Sequence, residues 1–222
     1  MVLPKISKAL IFILISIFLS IGIFFLGTPW GYLEHRIKFH DYLEDRYKKE
    51  FAIKKISYTF MHGGLYSAEA NDVNQPDISF YVGQNYRTKD IEDGYYYTMC
   101  HYQANADLAP ILESLYPDSK YSIEVLPNDD DKSIFEGSEI PDYRKVTTII
   151  LGISLRNVAV TNENELNEVE KAYCLLKSLK DQKLALSNFS VHYKNKTMIL
   201  NSQDIDLIHD VNDLKNHLDD YR

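Results

Sequence analysis

Between Ala9 and Gly27 the chain reads ALIFILISIFLSIGIFFLG, with no charged residue and nothing more polar than Ser16 and Ser20. No other feature constrains the fold as strongly. At about 1.5 Å of rise per residue, this run crosses the roughly 30 Å hydrocarbon core of a bilayer as one helix. Every face of that helix is apolar, which suits lipid on all sides better than a core contact along one stripe. Lys5 and Lys8 supply the positive n-region of a secretory signal, but such a signal has an apolar region of about 7 to 15 residues and small residues placed for cleavage. Here the run is longer, and the best small pair, Ser20 and Gly22, lies inside it. The expectation is an uncleaved signal-anchor over 9–27, in contact with the lipid bilayer, after a cytoplasmic segment 1–8.

Orientation follows from charge. Lys5 and Lys8 flank one end, whereas Thr28 to His35 contains no Lys or Arg. Positive flanks stay cytoplasmic, so the rest of the chain is expected outside the cell membrane, with Trp30 and Tyr32 as interfacial aromatic anchors. Without the two anchor lysines the remainder carries a net charge of -10, against -8 for the whole chain. An acidic part with no basic stripe argues against nucleic acid as a partner.

Periodicity divides the remainder into helices and strands. Leu33, Ile37, His40, Leu43, Tyr47 and Phe51 recur as one helical stripe, predicting a helix from Tyr32 to Glu50 with that stripe packed on a sheet. Ile56, Tyr58 and Phe60 alternate, His62-Gly63-Gly64 turns, and Leu65 to Ala70 returns as a hairpin partner. A strand through Ile78, Phe80 and Val82 follows, then an Asp93-Gly94 turn and a short strand Tyr95-Tyr96-Tyr97. Ala104 to Leu115 reads as a helix, with Pro110 starting or kinking it.

Leu115 to Ser119 is the best boundary, giving domains 28–116 and 117–222. Beyond it come a strand through Tyr121 to Val125, an acidic loop from Asn128 to Glu139, and an apolar strand from Thr147 to Arg156. A helix from Glu163 to Lys180 is read with Asn162 as N-cap and Glu165 completing the box. A hairpin joins Phe189, Val191 and Tyr193 to Met198 and Leu200, and a terminal helix carries Leu207, Val211, Leu214, Leu218 and Tyr221. The fold class is α+β: one transmembrane helix, then two small halves with antiparallel sheets and packed helices.

The anchor with its following helix resembles the YfjL-like group, small membrane-anchored proteins of Gram-positive bacteria. The matching residues are Thr28-Pro29, Tyr42-Leu43 and Tyr47, Phe51-Ala52-Ile53, Tyr58 with Gly63 and Tyr66, Asp93-Gly94-Tyr95-Tyr96, and Ser190-Val191-His192-Tyr193. The resemblance implies placement and architecture and carries no assigned activity, so no functional residue transfers.

Chemistry is sparse. The chain contains no G-x-S-x-G, H-E-x-x-H, S-x-x-K, P-loop or G-x-G-x-x-G sequence. Asn128-Asp129-Asp130-Asp131 lacks the spacing and late Glu of a calcium loop. Cys100 and Cys174 have no C-x-x-C partner, which excludes zinc and thioredoxin-like patterns, and outside the cytoplasm they could form one disulfide. No cofactor and no metal site is expected. The candidate ligand or partner surface is Tyr58, His62, Tyr95, Tyr97 and His101, aromatic and imidazole groups near strand ends. Two functions compete: a non-enzymatic module binding an envelope protein or peptide, and an envelope enzyme with a dispersed site near His62 and His101.

Overall fold

A computed structural model describes residues 5–127 and 139–221. The chain divides into two compact units, 1–95 and 96–222. The acidic run Asn128 to Asp131 lies outside the described residues.

The first unit opens with α1 (Lys5–Leu26), a helix long and apolar enough to cross a membrane. Gly27, at φ 75°, ends it by returning its N–H to the Ile23 carbonyl at 2.9 Å. Thr28 then caps α2 (Pro29–Tyr47): its hydroxyl accepts the Gly31 N–H at 3.0 Å, and Pro29 fills the first turn, where no N–H partner is needed. Lys48, in the left-handed region, closes α2.

Four strands follow as an antiparallel meander in the order β1-β2-β3-β4, namely β1 (Phe51–Thr59), β2 (Leu65–Asp72), β3 (Ser79–Gln84) and β4 (Ile91–Asp93). Of the stripe expected from the sequence, Leu43, Tyr47 and Phe51 are buried, joined on α2 by Gly31 and Phe39, whereas its first turns face outward. Leu33 and Ile37 are 62% and 54% exposed. Tyr47, Phe51, Phe80 and Tyr95 make the aromatic core, with ring centroids 4.8 to 5.8 Å apart in edge or tilted contacts, and Phe39 is buried as well.

The second unit begins in α3 (Tyr95–Leu115), which shares only Tyr95 with the first. Tyr95 to Tyr97 therefore start a helix rather than a strand. The Asp93 carboxylate accepts the Tyr95 N–H at 2.9 Å, and this cap overrides the strand preference of three tyrosines. Cys100, Ala104, Leu108 and Leu112 of α3 enter the second core, so the division falls near residue 95 rather than at 116.

Five strands form the second sheet in the order β5-β6-β7-β8-β9: β5 (Lys120–Pro127), β6 (Thr147–Leu155), β7 (Leu186–Tyr193), β8 (Lys196–Asn201) and β9 (Leu218–Asp220). A short α4 (Tyr143–Val146) leads into β6, whose Ile149, Leu151, Ile153 and Leu155 alternate inward. The crossover helix α5 (Glu165–Asp181) makes β6 and β7 a parallel pair in an otherwise antiparallel sheet. Asn164, not Asn162, precedes α5, and it makes no side-chain cap bond because its amide is engaged with Thr161 and Ala159.

The expected terminal helix breaks into α6 (Ser202–Leu207), α7 (Val211–Lys215) and the edge strand β9. Asn201 with Asp204 and Asp210 with Asp213 form two capping boxes, each of which starts a new short helix.

Candidate functional site

The best-defined contact surface in the first unit is the clasp around the end of α1. Gly27 lies so close to Tyr58 that a Cβ there would sit 2.8 Å from the ring. The Tyr58 hydroxyl donates to the Phe24 carbonyl at 3.3 Å, and the Tyr32 hydroxyl donates to the Leu26 carbonyl at 2.8 Å. Phe60 packs on Phe25 and Phe24, with centroids 4.8 and 6.0 Å away. Tyr66 is the keystone. Its hydroxyl accepts the Thr28 N–H at 3.0 Å, while its ring stacks on His35 at 4.1 Å and meets Tyr32 and Tyr58 edgewise or tilted. Helix end, hairpin and α2 are thereby joined with no slack segment between them.

A second cluster ties the far end of α2 to β4. The Asp93 carboxylate, its side chain 2% exposed, accepts the Tyr47 hydroxyl at 2.7 Å and the Tyr42 hydroxyl at 3.0 Å, besides the Tyr95 N–H. Arg46 donates to the Tyr42 oxygen at 2.7 Å. Tyr95 donates to Asp72 at 3.0 Å and accepts from Lys49 at 3.2 Å. Burial, then the Asp93 charge, holds both Tyr42 and Tyr47 above the ordinary phenol range, so they stay protonated donors. The cluster's chemistry is that of a buried hydrogen-bond network centred on the Asp93 carboxylate. Sequence spacing gave no signal for it, because its acids, Asp72 and Asp93, sit at the ends of two strands.

The sequence-derived candidates separate accordingly. Tyr58 belongs to the clasp, His62 falls in a 3-10 turn, Met61–Gly63, and Tyr95 is buried with its hydroxyl engaged on Asp72. Tyr97 and His101 lie one turn apart on α3, with ring centroids 6.5 Å apart, and His101 pairs with Asn105. Among the described residues no group of three or more His, Cys, Asp or Glu side chains converges for a metal. Cys100 is buried and Cys174 exposed, both as free thiols.

In the second unit the carboxyl ends of the parallel pair β6 and β7 open into two adjoining clefts of about 450 and 420 Å³, which share Ser154 and Arg156. His192, Lys194 and Tyr221 line one, and Lys120 with Asp118 lines the other. Crevices outside the carboxyl ends of parallel strands are the usual ligand position in such sheets. Among the described residues no ion pair is formed by Lys120, Arg156 or Lys194. Lys120 at the start of β5, Arg156 after β6 and Lys194 after β7 thus gather three cations at one end of the sheet, in a chain of net charge -8. Sequence reasoning missed them; the available signal was a cation directly after each of two strands.

No family model matches this chain, and no curated protein does. Among solved structures it is similar to the crystal structure of a DUF5037 family protein from Ruminococcus gnavus ATCC 29149. The identity is 17%, over 78% of this chain and 77% of that one, with a TM-score of 0.38. A likeness of that degree carries no argument about architecture or site, and it shows neither a YfjL-like family nor a Gram-positive origin for this chain.

Proposed function

We propose that the chain is a single-pass membrane protein of the cell envelope, anchored by an uncleaved α1, whose two α+β units act outside the membrane in binding or assembly. The observation that carries this reading is the clasp. Tyr58, Phe60 and Tyr66 spend their hydroxyls and rings on Phe24, Phe25, Gly27 and Thr28. Removing the apolar helix as a signal peptide would strip those partners from a folded domain. The YfjL-like resemblance agrees with this placement. Intact-mass measurement on chain extracted from membranes tests it: the expected species retains residues 1–27, and a mature form lacking them overturns the reading.

The surface we assign to partner binding is the basic cleft pair of the second unit, and the partner is an envelope protein or peptide presenting carboxylates. Lys120, Arg156 and Lys194 are free to meet such groups, and the contact weakens with salt. With a hexaglutamate peptide as probe, Arg156→Gln combined with Lys194→Gln should bind measurably more weakly than the native chain at low ionic strength. Equal binding removes the cleft from the assignment.

A further inference from the structure

Helix α2 has a second apolar face. Opposite its buried residues, Trp30, Leu33 and Ile37 are 65%, 62% and 54% exposed. Their spacing of three and four places them on one side of the helix, over a rise of roughly 10 Å. Beyond Ile37 that side turns acidic with Asp41, Glu44 and Asp45. The apolar strip is thus confined to the first two turns after the anchor.

Two observations say what covers it. Trp30 shares with α1 an apolar cleft of about 1130 Å³, whose wall runs from Ile15 through Gly22 to Leu26. The strip is therefore continuous with the apolar surface of α1. Across the end of α1 the hairpin tip repeats the pattern: Phe60 rests on Phe24 and Phe25 and is 38% exposed, and Met61 is 59% exposed. Meanwhile Arg36 is turned inward, donating to the Ile53 carbonyl at 3.0 Å, so the orientation of α2 on β1 is fixed.

We infer that the first unit rests on the bilayer itself. Trp30, Leu33 and Ile37 lie in the headgroup–acyl boundary on one side of the anchor, and Phe60 with Met61 on the other. The inference builds on the membrane-spanning reading of α1 and adds a second, peripheral contact that fixes how the unit is tilted. Aromatic and aliphatic side chains partition into that layer, and the acidic continuation of the face marks where α2 leaves it. Because the strip contains no Lys or Arg cluster, the contact needs no anionic lipid.

The test uses the full chain in phosphatidylcholine vesicles. Trp30 is the sole tryptophan, so its fluorescence reports one position directly, with bromine placed at graded depths on the lipid acyl chains. In a Cys174→Ser background, Ile37→Cys and Asp45→Cys carry an environment-sensitive fluorophore. The expected result is quenching of Trp30 by shallow-brominated lipid, a blue-shifted Ile37 probe and several-fold weaker iodide quenching there than at position 45. A chain that floats with the vesicles while the Ile37 probe is as open to iodide as the Asp45 probe overturns this inference and leaves the anchor intact. A chain that fails to float overturns both.

Discussion

Gly31→Ala sets two effects of similar size against each other, and the geometry decides between them. In a free helix alanine is favoured over glycine by up to about 1 kcal/mol. In this fold the new Cβ would fall inside contact distance of the Tyr66 hydroxyl and 2.7 Å from both its Cζ and the Thr28 hydroxyl. The Tyr66 ring cannot simply swing away, because it is 8% exposed and stacked on His35. Moving it breaks the bond from the Thr28 N–H, worth about 1 kcal/mol net, and overpacking at a filled site costs about 1 to 3 kcal/mol more. The balance is a net loss of about 1 to 3 kcal/mol.

For a chain of this size that loss lowers the unfolding midpoint by roughly 2 to 12 °C. Thermal unfolding of the full chain in mild detergent, followed by fluorescence of the adjacent Trp30, measures it. Adding Tyr66→Phe should restore part of the loss and not all, since the hydroxyl clash goes while the Cζ contact remains. A Gly31→Ala chain as stable as the native one, or more so, would refute the keystone role given to Tyr66.

Further outcomes follow from the other clusters. Asp93→Asn should cost about 3 kcal/mol in the same unfolding assay, because Tyr42, Tyr47 and the Tyr95 N–H lose a shared anionic acceptor that is buried. Glu165 receives bonds from Lys196 and Lys215, which lower its carboxyl from its ordinary 4.5 to about 2. A folded-state value below the unfolded one means that its stabilisation is present above pH 4.5 and lost as pH falls toward 2. Glu165→Gln should therefore flatten that acid limb of the stability curve, read from unfolding midpoints across the window. Burial pushes the Cys100 thiol up to about 11, so at pH 8 a thiol reagent should titrate Cys174 in the native chain and both cysteines only after unfolding.

How much of this was legible in the sequence depended on whether one signal or two acted on a segment. The apolar run and the apolar strand read from Thr147 to Arg156 each had a single cause, and both are found as expected, the strand over Thr147–Leu155. Helix α2 is apolar on two sides. Periodicity alone could not say that Phe39 faces the sheet while Leu33 and Ile37 face outward. At Tyr95 a carboxylate cap two residues upstream outweighed strand preference. From Asn201 onward the spacing of Leu207, Val211, Leu214 and Leu218 suggested one helix, although the two Asx-x-x-Asp boxes that start its separate pieces were visible in the same stretch. The clasp was not legible, because Tyr58 and Tyr66 find partners 34 and 38 residues away. The charges at the β6–β7 end come together only through the crossover α5.

The central claim is an anchor that holds both units on the outer side of a membrane. Cys174, exposed on α5, provides a native reporter for it. Intact cells producing the full chain are treated with a membrane-impermeant maleimide, alongside a Val2→Cys, Cys174→Ser variant. The account predicts labelling of Cys174 before lysis, labelling of position 2 only after permeabilisation, and retention of both chains in carbonate-washed membranes. Cys174 protected until lysis, or a chain released by carbonate, would contradict it.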